Sequence, residues 1–134
     1  MNAFMLAMGI TSFVLISTSS MADHRQDLLE ASEELAEACE HLSEKLLVTS
    51  GYRNSQYAVE EMAESAHHFH EQVLATTDLN HLRQDYRDFY DSYRNARNTL
   101  RIDYDNSRND HVMADWLEIS HTFRTVREIM RYYQ

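Results

Sequence analysis

Proline is absent from all 134 residues, and after the first 22 residues the only glycine is Gly51. Proline and glycine are the residues that most strongly interrupt helices and strands. A chain with so few interruptions suits long continuous helices, whereas an all-β domain needs a turn roughly every 8–12 residues. The hydrophobic residues favour helices, because they recur at spacings of three and four, which place them on one helix face. The pattern therefore predicts an all-α protein.

Four segments each carry one such apolar row. They are predicted as helices at about 24–48, 54–75, 78–103 and 109–132. In each helix the row marks the face that we expect to be buried. The predicted core residues are Leu28, Leu35, Cys39, Leu42 and Leu46; Val59, Met62, Ala66, Phe69 and Val73; Leu82, Tyr86, Phe89, Tyr93, Ala96 and Leu100; and Val112, Trp116, Ile119, Phe123, Val126 and Met130.

The connections between these predicted helices are short and contain the residues of turns and helix caps. We expect Gly51 to take the left-handed conformation that ends the first helix, and Asp78 and Asp110 to cap the third and fourth. Short connections make consecutive helices antiparallel neighbours. The expected architecture is an antiparallel up-down-up-down four-helix bundle, formed by residues 23–134 as a single domain.

The first 22 residues differ from the rest because they carry no charged side chain. An apolar run from Ala3 to Ile16 is followed by a short polar stretch, and Ser20 and Ala22 are small residues placed as in a cleavage site. This order predicts a cleaved signal peptide at residues 1–22, although the usual basic residue near the amino terminus is missing. The alternative is a leader that is retained as an anchor. A cleaved leader predicts export to the periplasm or, alternatively, to the extracellular space.

The chain is strongly acidic, with 22 acidic and 12 basic residues and a formal net charge of −10. The excess lies in residues 23–76, which carry 12 acidic and 3 basic residues, whereas residues 77–134 carry 10 and 9. Such a charge argues against nucleic acid or an anionic membrane as a partner. We also expect no membrane insertion of residues 23–134. With Cys39 as the single cysteine, no internal disulfide can form, so packing alone must hold the exported fold.

Cofactor and catalytic layouts fit this sequence poorly. The Glu-x-x-His motif of di-iron bundles occurs as Glu64–His67 and Glu118–His121, but all four residues fall outside the predicted core rows. The Cys-x-x-Cys-His motif of covalent haem is absent. Cys39 lies within a core row, where a small apolar residue is expected. The sequence therefore predicts a non-enzymatic protein with no resident cofactor.

Eight histidines are an unusually large number for a chain of this size. Glu64, His67, His68 and Glu71 lie at spacings that place them on the outer face of the second helix. Imidazoles together with carboxylates suit Zn²⁺, Cu²⁺ or Ni²⁺. One interpretation is a weak surface metal site completed by water. The other is a solvated helix face on which each histidine has a carboxylate partner four residues away.

Two classes of function follow. The first is an exported binding or interaction protein, with an unknown protein partner or with a second copy of itself. Tyrosine and arginine, which interfaces favour, are frequent in the third helix, and Tyr90 lies beside its core row, open to a partner. The second is a binder or buffer of divalent metal ions that uses the surface histidines. The overall pattern resembles that of a small exported helical bundle of a Gram-negative bacterium.

Overall fold

Four α-helices make up almost all of the structure, a computed structural model that describes the backbone of residues 2–133 and the side chains of residues 23–133. The helices are α1 (Asn2–Leu47), α2 (Arg53–Ala75), α3 (Leu79–Ser107) and α4 (Asp110–Met130), followed by a single 3₁₀ turn at Arg131–Tyr133. The described backbone contains no strand, which confirms the predicted all-α class. The side chains of the predicted signal peptide lie outside the described residues. Among the described helices, none combines the length and the apolar character needed to cross a membrane.

The predicted core rows are buried as expected. Leu35, Val59, Phe89 and Ile119, one from each helix, are all fully inaccessible. Tyr86 and Trp116 are the two predicted core residues that remain partly exposed, and both still pack against the buried cluster. The three-and-four spacing therefore identified the buried face of every helix.

The end of α3 differs from the prediction. The helix continues to Ser107 rather than stopping near residue 103, and Arg108 then takes a left-handed conformation with φ of 39°. The Arg108 amide donates to the Tyr104 carbonyl oxygen at 2.7 Å, which closes the last turn. Polar residues alone do not end a helix when no proline or glycine interrupts it.

The predicted caps are only partly correct. Asp78 caps α3 as expected, because its carboxylate accepts from the Asn80 amide at 2.9 Å. At α4 the cap is Asn109, which accepts from the amides of His111 and Val112, so the prediction of Asp110 was wrong by one residue. Asp110 instead lies in the first turn of α4, where its negative charge interacts favourably with the helix dipole.

Gly51 has the expected positive φ, 91°, but it does not cap α1. α1 ends four residues earlier, at Leu47, and the Thr49 hydroxyl donates to the Lys45 carbonyl oxygen there at 2.7 Å. Gly51 lies in the turn before α2, where Ser107 approaches its backbone and donates to its carbonyl oxygen at 3.3 Å. A Cβ atom at residue 51 would lie only 1.9 Å from the Ser107 hydroxyl oxygen. Both the backbone conformation and the close approach require glycine.

Replacement of Gly51 by Ala is expected to lower the free energy of unfolding by about 2 kcal/mol, from left-handed strain and from the clash with Ser107. Urea unfolding followed by circular dichroism measures the loss. The double variant Gly51→Ala, Ser107→Gly should recover the part due to the clash and keep the part due to φ. A single variant as stable as the parent would show that this turn adopts another conformation.

A buried carboxylate joins α3 to the beginning of α2. Asp103 is only 3% exposed, and it accepts from the Ser55 amide at 2.9 Å, the Ser55 hydroxyl at 2.6 Å and the Asn54 side-chain amide at 3.3 Å. The residue at the α2 N-cap position, Tyr52, makes no side-chain capping bond. Asp103 therefore provides, from another helix, the acceptor and negative charge that a helix amino terminus favours.

The four helices do not approach one another equally. The backbone of α1 lies close to those of α2 and α4, and α2 lies close to α3. α3 and α4 instead meet through aromatic rings: the Phe123 ring lies 4.5 Å from that of Tyr93 and 5.3 Å from that of Phe89, and Tyr93 stacks on Trp116 at 4.9 Å. Because these rings fill the space between them, the α3 and α4 backbones remain farther apart than the other adjacent pairs.

Candidate functional site

The four predicted metal ligands lie along one shallow groove between α1 and α2. Glu64, His67, His68 and Glu71 line its α2 side, and α1 contributes carboxylates that include Glu40. The prediction that the four share one outer surface of α2 is compatible with this placement. The groove is strongly acidic, because most of its lining residues are glutamates.

The two histidines of this groove point to different neighbours. His67 Nε2 lies 3.1 Å from a carboxylate oxygen of Glu40 on α1, whereas His68 Nε2 lies 3.4 Å from one of Asp85 on α3. Both imidazoles therefore pair across helices rather than with Glu64 or Glu71 on their own helix. Within residues 23–133 no group of three or more His, Cys, Asp or Glu side chains is arranged to hold one metal ion.

Other histidines also have partners on neighbouring helices. His70 Nδ1 lies 2.8 Å from the hydroxyl of the buried Ser32, and His41 Nε2 lies 3.6 Å from a carboxylate oxygen of Asp115, which also binds Lys45. The His24 ring stacks on that of Tyr132 at 3.9 Å. These contacts join α1 to α2, to the first part of α4 and to the 3₁₀ turn after α4, so several of the histidines contribute to packing between helices.

The other residues that the sequence offered as catalytic groups or cofactor ligands lie on outer helix faces or in the core. Glu118 and His121 are exposed on the outer face of α4, as Glu64 is on α2. Cys39 is fully buried, and burial raises the pKa of its thiol far above the ordinary value. A thiol held in its neutral form is a poor nucleophile.

A second groove lies between α3 and α4, where the aromatic rings hold the backbones apart. It forms a cleft of about 250 Å³, with α3 on one wall and α4 on the other. The lining residues are Arg97, Leu100, Arg101 and Tyr104 from α3, and Val112, Met113, Trp116 and Leu117 from α4. The α3 residues recur at spacings of three and four, so they form one face of that helix. Leu117 is 60% exposed at the cleft edge, which leaves apolar surface open to a ligand.

The charge of this cleft is opposite to that of the whole chain. None of its eight lining residues is acidic, although the chain has 22 acidic residues, and two are arginines. In the described part of the chain, neither Arg97 nor Arg101 has a carboxylate oxygen within 4.0 Å. An acidic residue lies at the cleft end, where the Tyr104 hydroxyl donates to Asp110 at 3.4 Å. The cleft is thus apolar within and positive at its rim.

A shallower pocket lies elsewhere along the two helices and contains Tyr90, the tyrosine predicted to be open to a partner. Tyr90 is partly buried, its ring lies 5.8 Å from that of Phe123, and the Arg94 guanidinium lies 5.8 Å from its centre. Burial raises the pKa of the adjacent Tyr86, and the positive charges of Arg127 and Arg131 partly oppose that rise. Tyr90 therefore both packs against the core and lines this pocket, and the larger-walled cleft of Trp116 lies farther along α3.

The sequence contained a partial signal for the cleft. The enrichment of α3 in tyrosine and arginine was visible, but Arg97 and Arg101 could not be assigned to it without the separation of α3 from α4. Comparison of the chain with protein-family models, curated proteins and solved structures found no match. The geometry of the two grooves is therefore what bears on function.

Proposed function

We propose that this chain is an exported, non-enzymatic binding protein whose ligand site is the cleft between α3 and α4. The observation that carries the proposal is an open apolar cleft next to Trp116, in a protein whose other predicted core residues are almost all buried. Concave, mostly apolar sites with a few polar groups are the usual form of ligand pockets, and they occur between the helices of bundles. The partly exposed Trp116 and Leu117 supply the apolar contact area.

The proposed architecture is an up-down-up-down bundle of residues 23–134, released into the periplasm when the leader is removed after Ala22. Contacts between helix ends support this order of helices. The Arg25 side chain donates to the Val73 carbonyl oxygen at 2.9 Å, which joins the start of the 23–47 part of α1 to the end of α2. Gln56 donates to the Leu46 carbonyl oxygen at 2.9 Å, which joins the opposite ends of the same two helices.

The chain contains a single tryptophan, Trp116, which makes the binding test specific. We expect the uncharged apolar dye N-phenyl-1-naphthylamine to bind the protein from residue 23 onward and to quench Trp116 by energy transfer. Leu117→Asp should weaken binding about tenfold or more, since it places a charge on the apolar edge. Leu74→Asp is the matched control, because Leu74 is 59% exposed on α2, outside the cleft. No dye binding, or equal loss in both variants, would contradict the proposal.

A second candidate function is binding of Zn²⁺, Cu²⁺ or Ni²⁺ in the α1–α2 groove. It is supported by the placement of Glu64, His67, His68 and Glu71 along one groove, where His67 already meets Glu40 of α1. Two or three of these ligands with water would form an open site, and His68 would have to leave Asp85 to join it. Zn²⁺ should then bind with a Kd in the micromolar range or weaker, roughly −8 kcal/mol.

Calorimetric titration with Zn²⁺ tests this second function. The double variant His67→Ala, His68→Ala should lose the binding, whereas His111→Ala, His121→Ala, which removes two exposed histidines of α4, should keep it. Binding should also weaken below about pH 6, because protons compete for imidazoles. Unchanged binding in the His67, His68 variant would contradict this function. So would the absence of binding by the parent protein at 100 µM metal (about −5.5 kcal/mol).

A further inference from the structure

We infer that the ligand of the α3–α4 cleft is a short-chain anionic amphiphile, an apolar chain that ends in a carboxylate, with the carboxylate held by Arg97 and Arg101. This inference rests on the proposed function and names the ligand class of the same site. It follows from the shape, the lining and the charge of the cleft.

The walls of the cleft fit an apolar chain. Leu100 and Val112 are 5% and 2% exposed, so they belong to the core and form a fixed apolar base. Trp116 is held in place by its stack on Tyr93 at 4.9 Å and offers a rigid surface. At about 250 Å³ the cleft is smaller than the usual pocket for a drug-sized ligand, about 300–1,000 Å³. A single short chain therefore fits better than a two-chain molecule.

The rim of the cleft fits an anion. Arg97 and Arg101 are four residues apart on α3, so their side chains are neighbours, and two like charges at this spacing repel each other. No described carboxylate lies within 4.0 Å of either, so neither guanidinium is held in an ion pair. A carboxylate bound between them would remove the repulsion and would form charge-assisted, bidentate hydrogen bonds. A cationic ligand would increase the repulsion.

Each arginine side chain can contact both parts of the ligand, the apolar chain and the carboxylate. Arginine lays its aliphatic stem along apolar surface and keeps its guanidinium in water. Both arginines line the cleft while their residues remain exposed, so the anionic group would lie at the mouth and the chain inside. This places the charged end of the ligand in solvent and limits the cost of its desolvation.

Competition against bound N-phenyl-1-naphthylamine tests the inference, with four ligands of equal chain length used below their micelle concentrations. They are decanoate, decyl phosphate, decanol and decyltrimethylammonium. We expect decanoate to displace the dye at about tenfold lower concentration than decanol, and the ammonium compound to be weakest. The preference for decanoate over decanol should shrink as salt is raised, because the arginines are exposed. If decyl phosphate displaces the dye at a lower concentration than decanoate does, the head group of the ligand is a phosphate and not a carboxylate.

Variants of the two arginines distinguish the contribution of the ligand head group to affinity from that of its apolar chain. Arg97→Gln, Arg101→Gln should bring decanoate to the affinity of decanol, as measured by the ratio of the concentrations at which the two displace the same bound dye. Arg97→Lys, Arg101→Lys should retain part of the preference, since the charge remains. Arg87→Gln, Arg94→Gln, on the same helix but outside the cleft lining, should leave the preference unchanged. Circular dichroism should show all three variants folded.

The outcomes distinguish this inference from the proposed function. If the dye binds and responds to Leu117→Asp but decanoate and decanol compete equally, the ligand class is wrong and the cleft remains a binding site. A preference for the ammonium compound, or an equal effect of the Arg87 and Arg94 variant, also overturns the ligand class. If the dye does not bind, the proposed function falls, and this inference falls with it.

Discussion

Replacement of Phe69 by Asp is expected to abolish the folded state. Phe69 is fully buried in α2, and its ring lies 6.0 Å from that of Tyr86 on α3. Truncation of a buried phenylalanine alone costs about 3–5 kcal/mol, and a buried carboxylate without a partner adds several more. Because domains of this size have about 5–15 kcal/mol of stability in total, the variant should be mostly unfolded. Far-ultraviolet circular dichroism should show the loss of helix, and urea titration should show no cooperative transition.

The matched control is again Leu74→Asp, which makes an apolar-to-acid change in the same helix at a residue 59% exposed. It should change the free energy of unfolding by less than about 0.5 kcal/mol, as surface substitutions usually do. His68 is a poorer control position, because its imidazole lies 3.4 Å from the Asp85 carboxylate. An acid at residue 68 would be repelled by that like charge. Equal damage from Phe69→Asp and Leu74→Asp would show that the buried face of α2 has been placed wrongly.

The burial of Phe69 was predictable from the sequence because it depends on a local rule. Residues three and four apart share a helix face, so a regular apolar row identifies the buried side without knowledge of the neighbouring helices. The same rule placed Cys39 and Ile119 correctly. The cap at Asp78 was predictable for a similar reason, since its carboxylate bonds an amide only two residues away.

Features that depend on contacts between distant residues were not predictable in this way. The sequence suggested carboxylate partners for His67 and His68 four residues away, but the structure pairs them with Glu40 and Asp85, on other helices. The α3–α4 cleft depends on how the rings of Phe123 and its neighbours fill the space, and helix periodicity carries no information on that distance. Arg97 and Arg101 became candidate ligand-binding residues only when the cleft was visible.

Asp103 is the clearest example, and it supports the second large prediction. Its local sequence is polar and reads as the edge of a loop, yet its side chain is buried and bonds Ser55, 48 residues away. The sequence gives no sign of this partner, because the α2 amino terminus has its own polar residues that could have served as caps. Only the packing of α3 against α2 shows that the capping acceptor comes from Asp103.

Replacement of Asp103 by Ala is therefore expected to lower the free energy of unfolding by about 3–4 kcal/mol. The change leaves the buried Ser55 amide and hydroxyl without their acceptor, and it removes a negative charge from the amino terminus of α2. Asp103→Asn should cost about 1–2 kcal/mol, since its amide oxygen still accepts one bond. Asp105→Ala is the control: it removes an exposed carboxylate from the same turn and should cost less than about 0.5 kcal/mol. Urea unfolding of the four proteins measures the series, and a loss in Asp103→Ala no greater than that in Asp105→Ala would show that Asp103 does not cap α2.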